Sequence, residues 1–189
     1  MIKSIYLDLD ETLVATTDAV LEHHNLPNPY LDKANWGRRD LNTLVGRTQE
    51  ELWHTLDADF WANIPKLPWA DILINTAKDI VGEKNVFILT APVRSVGCCY
   101  GKQLWVKKNY PDMTRRTIMT SAKHACVPHD GLLIDDSEQN GRELEEDGKL
   151  NNFYLFPDYN NSKAELLQPI LDNPELVDPM IRTFINGLH

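Results

Sequence analysis

Cysteine is scarce and poorly placed for cross-linking. The three cysteines are Cys98, Cys99 and Cys126, an odd count with an adjacent pair, which gives no disulfide framework. A reducing cytoplasm is therefore the expected compartment. There is no Cys-x-x-Cys pair and no suitably spaced Cys/His set, so structural zinc is not expected. No apolar run is long enough to cross a bilayer, and no secretory leader is expected ahead of the first strand. Repeats and low-complexity tracts are absent. Basic residues are outnumbered, with 19 Lys and Arg against 28 Asp and Glu and a formal net charge of −9. That balance argues against duplex nucleic acid as the main partner, because phosphate contacts need a basic surface. It does not exclude a small anion, for which a few local cations and a metal suffice.

The 189 residues are enough for one α/β core with a modest insertion. The chain is organised around Ile5-Tyr6-Leu7-Asp8-Leu9-Asp10-Glu11-Thr12-Leu13-Val14. Ile2, Ile5, Tyr6, Leu7 and Leu9 suit a strand buried on both faces. Asp8 and Asp10 would lie at its C-terminal end, where open parallel sheets bind ligands. Two carboxylates that close repel unless they share a cation or a proton. Magnesium is the natural partner, being hard, oxygen-seeking and usually bound by one or two carboxylates plus substrate phosphate.

Further strands are expected at Val86–Leu89, Arg116–Thr120, Leu132–Ile134 and Phe153–Phe156, alternating with helices over about 69–81, 97–109 and 138–147 and from Ser162. Gly82 and Gly148 follow helices as stops. Short helices are expected in the Pro-containing tail. Such alternation implies a three-layer α/β/α, Rossmann-like core with a parallel sheet. Residues 14–68 differ in character, with Leu26-Pro27-Asn28-Pro29, Arg38-Arg39, Trp36, Trp53 and Phe60-Trp61. One stretch, 49–56, looks helical with Thr48 as its N-cap. The segment is expected to be a helical cap inserted after the first strand, leaving 1–13 and 69–189 as the core. Trp36 and Trp53 are expected to fill the cap's own interior.

Four strand ends carry polar residues: Asp8 and Asp10, Thr90, the loop bearing Lys123, and Asp135-Asp136. In a parallel sheet these ends converge on one edge. Adjacent carboxylates closing a buried strand are costly without a cation. Asp-x-Asp-x-Thr after an N-terminal strand, followed by these groups in this order, resembles the four motifs of the haloacid dehalogenase (HAD) superfamily of phosphohydrolases. The resemblance implies that Asp8 is a nucleophile forming an aspartyl-phosphate and that Asp10 is the general acid and base. Thr90 would bind a phosphoryl oxygen, and Lys123 would offset the negative charge. Carboxylate nucleophiles and a second carboxyl for proton transfer suit phosphoryl chemistry. Magnesium would be held by Asp8, the Asp10 carbonyl and the Asp135-Asp136 pair. Asp136 is favoured as the direct ligand and Asp135 as the neighbour orienting water or Lys123, with the reverse left open.

Ile88-Leu89-Thr90-Ala91-Pro92, Cys98 to Lys102 with Leu104 to Lys108, Thr120-Ser121-Ala122-Lys123 and Leu132 to Asp136 are similar to the 5′(3′)-deoxyribonucleotidase group. That likeness implies Phe60 and Trp61 beside a nucleobase, and Arg94 and Lys102 near the phosphate. Aromatic side chains offer a π-face to a base; for Phe60 and Trp61, packing between cap and core is the other reading. Glu11 stands where that group usually has glycine, and its surroundings resemble the opening of HAD phosphatases acting on phosphoserine in the RNA polymerase tail. Ala91 replaces a serine, and Thr16 stands where a base-contacting aromatic is usual. The expected substrate is a small phosphorylated molecule, a nucleoside monophosphate first, with no membrane partner and a homodimer as the candidate assembly. Another small metabolite, a phosphoprotein, phosphotransfer to an alcohol and a non-catalytic binding role on the same scaffold remain the alternatives.

Overall fold

Alternation along the strands sorts the core onto two faces of a sheet. The computed structural model describes residues 1–188. Among them β1 (Ser4–Leu7), β2 (Val86–Thr90), β3 (Thr117–Met119), β4 (Gly131–Asp135) and β5 (Phe153–Leu155) form one parallel sheet in the order β3-β2-β1-β4-β5. Between β1 and β2 the chain makes α1 (Thr16–His23), α2 (Leu41–Leu44), α3 (Ala58–Ala62) and α4 (Ala70–Val81). Helix α5 (Cys98–Asn109) follows β2, α6 (Glu138–Glu146) follows β4, and α7 (Leu167–Asp172) and α8 (Val177–Asn186) follow β5. This is the expected Rossmann-like α/β architecture with an all-parallel sheet.

The register pairs Ile5 with Val86 and Leu132, and Leu7 with Ile88 and Ile134. Those residues point to one face, where they join Leu73 and Ile74 of α4, Trp105 and Val106 of α5, and Ile181 and Ile185 of α8. Tyr6, Leu89 and Leu133 point to the other, against Leu144 of α6 and Val127. Burying a large aliphatic side chain contributes about 1.5–3 kcal/mol, so both faces bind their helices firmly. No helix among the described residues is long and apolar enough to cross a membrane. The three thiols are free.

The strand expected over the first ten residues ends at Leu7. The Asp8 amide still donates to the Ile134 carbonyl at 2.9 Å, but the chain then folds back, with the Leu13 and Val14 amides both on the Leu9 carbonyl. The insertion leaves and returns through a narrow neck. Ala15 N–H donates to the Pro65 carbonyl at 3.1 Å and Leu67 N–H to the Leu13 carbonyl at 2.9 Å. Within it, Glu50–His54 forms a π-helical turn in place of the expected longer helix. Thr48 caps it reciprocally: its hydroxyl accepts from Glu51 N–H at 3.1 Å, and Glu51 Oε2 accepts from Thr48 N–H at 2.7 Å. The insertion has no separate interior, because Val20, Leu21, Leu52, Leu56 and Trp61 belong to the same apolar cluster as the sheet face. Trp36 bridges insertion and core: its indole N–H donates to the Tyr30 carbonyl at 2.9 Å, and its ring lies 5.8 Å from that of Tyr159. Helix α3 lies close on α5 at Gly101, where a Cβ would come within 2.4 Å of the Trp61 Cβ.

Candidate active site

Because β1 lies between β2 and β4, the ends of these three strands bring Asp8, Thr90 and Asp135 to one edge. Asp8, Thr90, Lys123, Asp135 and Asp136 are all buried. Lys123 Nζ sits 2.7 Å from Asp8 Oδ1 and 2.6 Å from Asp135 Oδ2. Burial opposes its charge, but the two carboxylates outweigh that and hold the ammonium above its usual range. Asp135 is further satisfied by Ser137 N–H at 2.8 Å and by Asn140 Nδ2 at 2.8 Å. Burial pushes the Asp8 carboxyl up to about 7; Lys123 opposes the rise, and Asp135 and Asp10 add to it.

Asp136 differs from its neighbour. It is buried, yet among the described residues its carboxylate meets only Arg39 Nη2, at 3.5 Å. Burial first, then Asp135, Asp158 and Asp8, hold its carboxyl well above the ordinary carboxylate range. A buried carboxylate without a close donor is costly. Oxygen atoms of Asp8, Asp135 and Asp136 lie within 4.8 Å of one another, so the donor set is all-oxygen and suits a hard divalent cation. Asp135 is already engaged by three donors, which leaves Asp8 and Asp136 as the carboxylates available to an ion.

Asp10 stands beside this group and is held by other residues. Its Oδ1 accepts from Thr16 Oγ1 at 2.8 Å, and its Oδ2 pairs with Lys102. Lys102 is expected near the substrate, but it is buried behind Asp10. Its ammonium also donates to Thr90 Oγ1 at 3.0 Å and to the Ala91 carbonyl at 2.7 Å. All three donors are therefore committed, and Lys102 positions Asp10 and Thr90 rather than facing the cleft. Thr90 in turn is occupied by Lys102 and fully buried.

The cleft above these groups, about 320 Å³, is lined by Asp8, Asp10, Lys123 and Asp136 from the core and by Arg39 and Trp53 from the insertion. Neither Phe60 nor Trp61 faces it. Phe60 lies edge-on to His23 at 5.3 Å and lines a shallow hollow with Glu22 and Ile64. Trp61 is buried, donates to Ser95 Oγ at 2.9 Å and stacks 6.4 Å behind Trp53. The reason is the turn of α3, whose first residues lie against α5 and draw the Trp61 ring inward over Lys102. Arg94 is exposed in an adjoining hollow with Gln49, Glu50, Trp53 and His54. Trp53 is thus the aromatic wall shared by both spaces, a role that its place in a short helical stretch does not signal. Asn160 also lines the cleft, with its buried Oδ1 lacking a partner. Comparison with known protein families and with curated proteins returns no match.

Glu11 adopts a left-handed backbone with φ 54°. Its Oε1 accepts from Thr17 N–H at 2.5 Å. Burial, then Asp158 and Asp136, raise its carboxyl well above normal. Burial likewise lifts Asp158, from 3.8 up to about 6. A carboxyl whose folded value is raised favours the fold while protonated, so this contribution is present at low pH and is lost as pH climbs from about 4 through 6. Asp158→Asn is therefore expected to be more stable than wild type at pH 7.5 by up to about 3 kcal/mol, with no advantage at pH 4. Urea unfolding in chelator at the two pH values measures this. An equal difference at both would remove the titration account.

Proposed function

We propose that the protein is a magnesium-dependent phosphomonoesterase of the HAD type, acting on nucleoside monophosphates in the cytoplasm. The observation that carries the reading is Asp136: a buried carboxylate without a close donor, next to Asp8 and opening on the same cleft as Asp10. Asp8 Oδ attacks phosphorus, and the bond to the leaving alcohol oxygen breaks as the aspartyl-phosphate forms. Asp10 supplies the proton to that oxygen. It then takes one from the water that releases inorganic phosphate and restores the Asp8 carboxylate. Thr16 and Lys102 position the Asp10 side chain, which enters the first transfer as the carboxylic acid and the second as the carboxylate. Lys123 orients Asp8 and offsets charge on the transferring group. Asp8, Asp136 and the Asp10 carbonyl would hold magnesium, which supplies charge neutralisation at the phosphoryl oxygens when bound.

The nucleotide assignment rests on Trp53. Its ring borders the cleft and is backed by Trp61, so it offers a base a π-face. The test is phosphate release from ribo- and deoxyribonucleoside 5′- and 3′-monophosphates, glycerol phosphate and a phosphoserine peptide, with magnesium and with chelator. Selective hydrolysis of nucleotides that stops in chelator is expected. Trp53→Ala should raise KM for nucleotides about 10- to 100-fold, the scale of one stacked base, and leave glycerol phosphate within about threefold. Equal losses on both esters would return Trp53 to a packing role. Hydrolysis of the peptide alone would move the assignment to a phosphoprotein.

A further inference from the structure

We infer that Arg39 serves two anions in turn: it neutralises Asp136 before a divalent cation binds, and it passes to the substrate phosphate afterwards. The inference rests on the function proposed above and adds a residue that couples the insertion to cation binding. Arg39 is 97 positions from Asp136 in sequence and belongs to the segment just ahead of α2. Its Nη1 donates to the Asp136 carbonyl at 3.3 Å and its Nη2 to Oδ2 at 3.5 Å. Both contacts are long for a guanidinium and a carboxylate, which close to about 2.7–2.9 Å when the pair is tight.

The two partners are unequally free. The Arg39 side chain is 46% exposed, whereas that of Asp136 is 6% exposed. Moving the guanidinium costs little, since it is half in water, while the carboxylate is fixed in the protein. Arg38 cannot substitute, because Asp40 holds it through Nε at 3.1 Å and Nη2 at 2.8 Å. The cleft wall carries Asp8, Asp10, Glu11 and Asp136 against Lys123 and Arg39. A phosphate dianion entering that wall meets net repulsion until a divalent ion is present. Once the ion sits at Asp136, two cations share one carboxylate and the mobile one is expelled. The phosphate then lies within the same cleft, and a guanidinium fork matches its oxygens. Arg39 is thereby a competitor of the cation without substrate and a ligand of the anion with it, and each effect implies its reciprocal.

Calorimetry on the full chain tests this with Mg²⁺ alone and then with inorganic phosphate at saturating Mg²⁺. Arg39→Ala should bind Mg²⁺ about 2- to 5-fold more tightly, the scale of a half-exposed ion pair. It should bind phosphate about 10- to 100-fold more weakly, the scale of a lost charge-assisted hydrogen bond. Arg39→Lys keeps the charge without the fork, so it should hold wild-type Mg²⁺ affinity and recover only part of the phosphate binding. The opposite signs in Arg39→Ala are what a general loss of structure could not produce. Unchanged or weaker Mg²⁺ binding in Arg39→Ala, or unchanged phosphate binding, overturns the inference while the proposed function stands. Wild-type protein that binds no Mg²⁺ overturns both.

Discussion

Asp8→Asn should release no measurable phosphate from any substrate that the wild type hydrolyses, a fall on the order of 10⁵-fold, as expected when a covalent nucleophile is removed. The substitution changes one oxygen to nitrogen, so volume and shape persist. The amide oxygen can still accept from Leu9 N–H, which the Asp8 carboxylate now does at 2.7 Å. It removes a buried charge whose carboxyl already sits near 7 through desolvation, and it also removes one of two anions from Lys123. These effects have opposite signs, so unfolding free energy in chelator should move by no more than about 1 kcal/mol. The measurement pairs phosphate release with thermal unfolding. Residual turnover within tenfold of wild type would transfer the nucleophile to another group, while a collapsed fold would make Asp8 structural first.

The sheet was legible because burial on both faces leaves continuous apolar runs. Ile5-Tyr6-Leu7, Val86 to Leu89 and Leu132-Leu133-Ile134 have no other economical reading, and each ends where a polar side chain first follows. Convergence of Asp8, Asp10, Lys123, Asp135 and Asp136 was legible for the same reason, since parallel strands share one C-terminal edge. What sequence could not supply was the direction of side chains in the insertion. Phe60, Trp61 and Trp53 are three aromatics on two short helical elements close in sequence, and the approach of α3 to Gly101 draws Trp61 away from the cleft. Lys102 shows the same gap: its helical position is evident, but its burial behind Asp10 depends on where α5 starts. Arg38-Arg39, a basic pair inside the insertion of an acidic chain, was a visible signal. Which arginine turns to Asp40 and which to Asp136 is set by the loop.

Lys123→Met should be among the most destabilising single substitutions in the protein. Methionine nearly fills the lysine's volume, so packing alone predicts little change. The charges predict otherwise. Lys123 is the cation at 2.7 Å from Asp8 and 2.6 Å from Asp135, and all three side chains are buried. Removing it leaves Asp8 and Asp135 facing one another without their counter-charge, beside Asp136, whose only cation is the distant Arg39, a loss of about 3–5 kcal/mol for a broken buried pair. For a chain of this length that corresponds to a fall in Tm of roughly 6–20 °C. The charge account makes two further demands. Lowering pH to 5 should recover stability, because the Asp8 carboxyl, pushed up to about 7 by burial even with Lys123 in place, takes up its proton more readily in the fold than in the unfolded chain. Adding Asp135→Asn should recover part of it at pH 7.5 by removing the second unpaired carboxylate. Thermal unfolding in chelator at both pH values, on the single and double variants, decides the matter. A Lys123→Met protein as stable as wild type would mean that the ammonium's pairing energy only matches its desolvation, and that Lys123 is retained for chemistry at Asp8 alone.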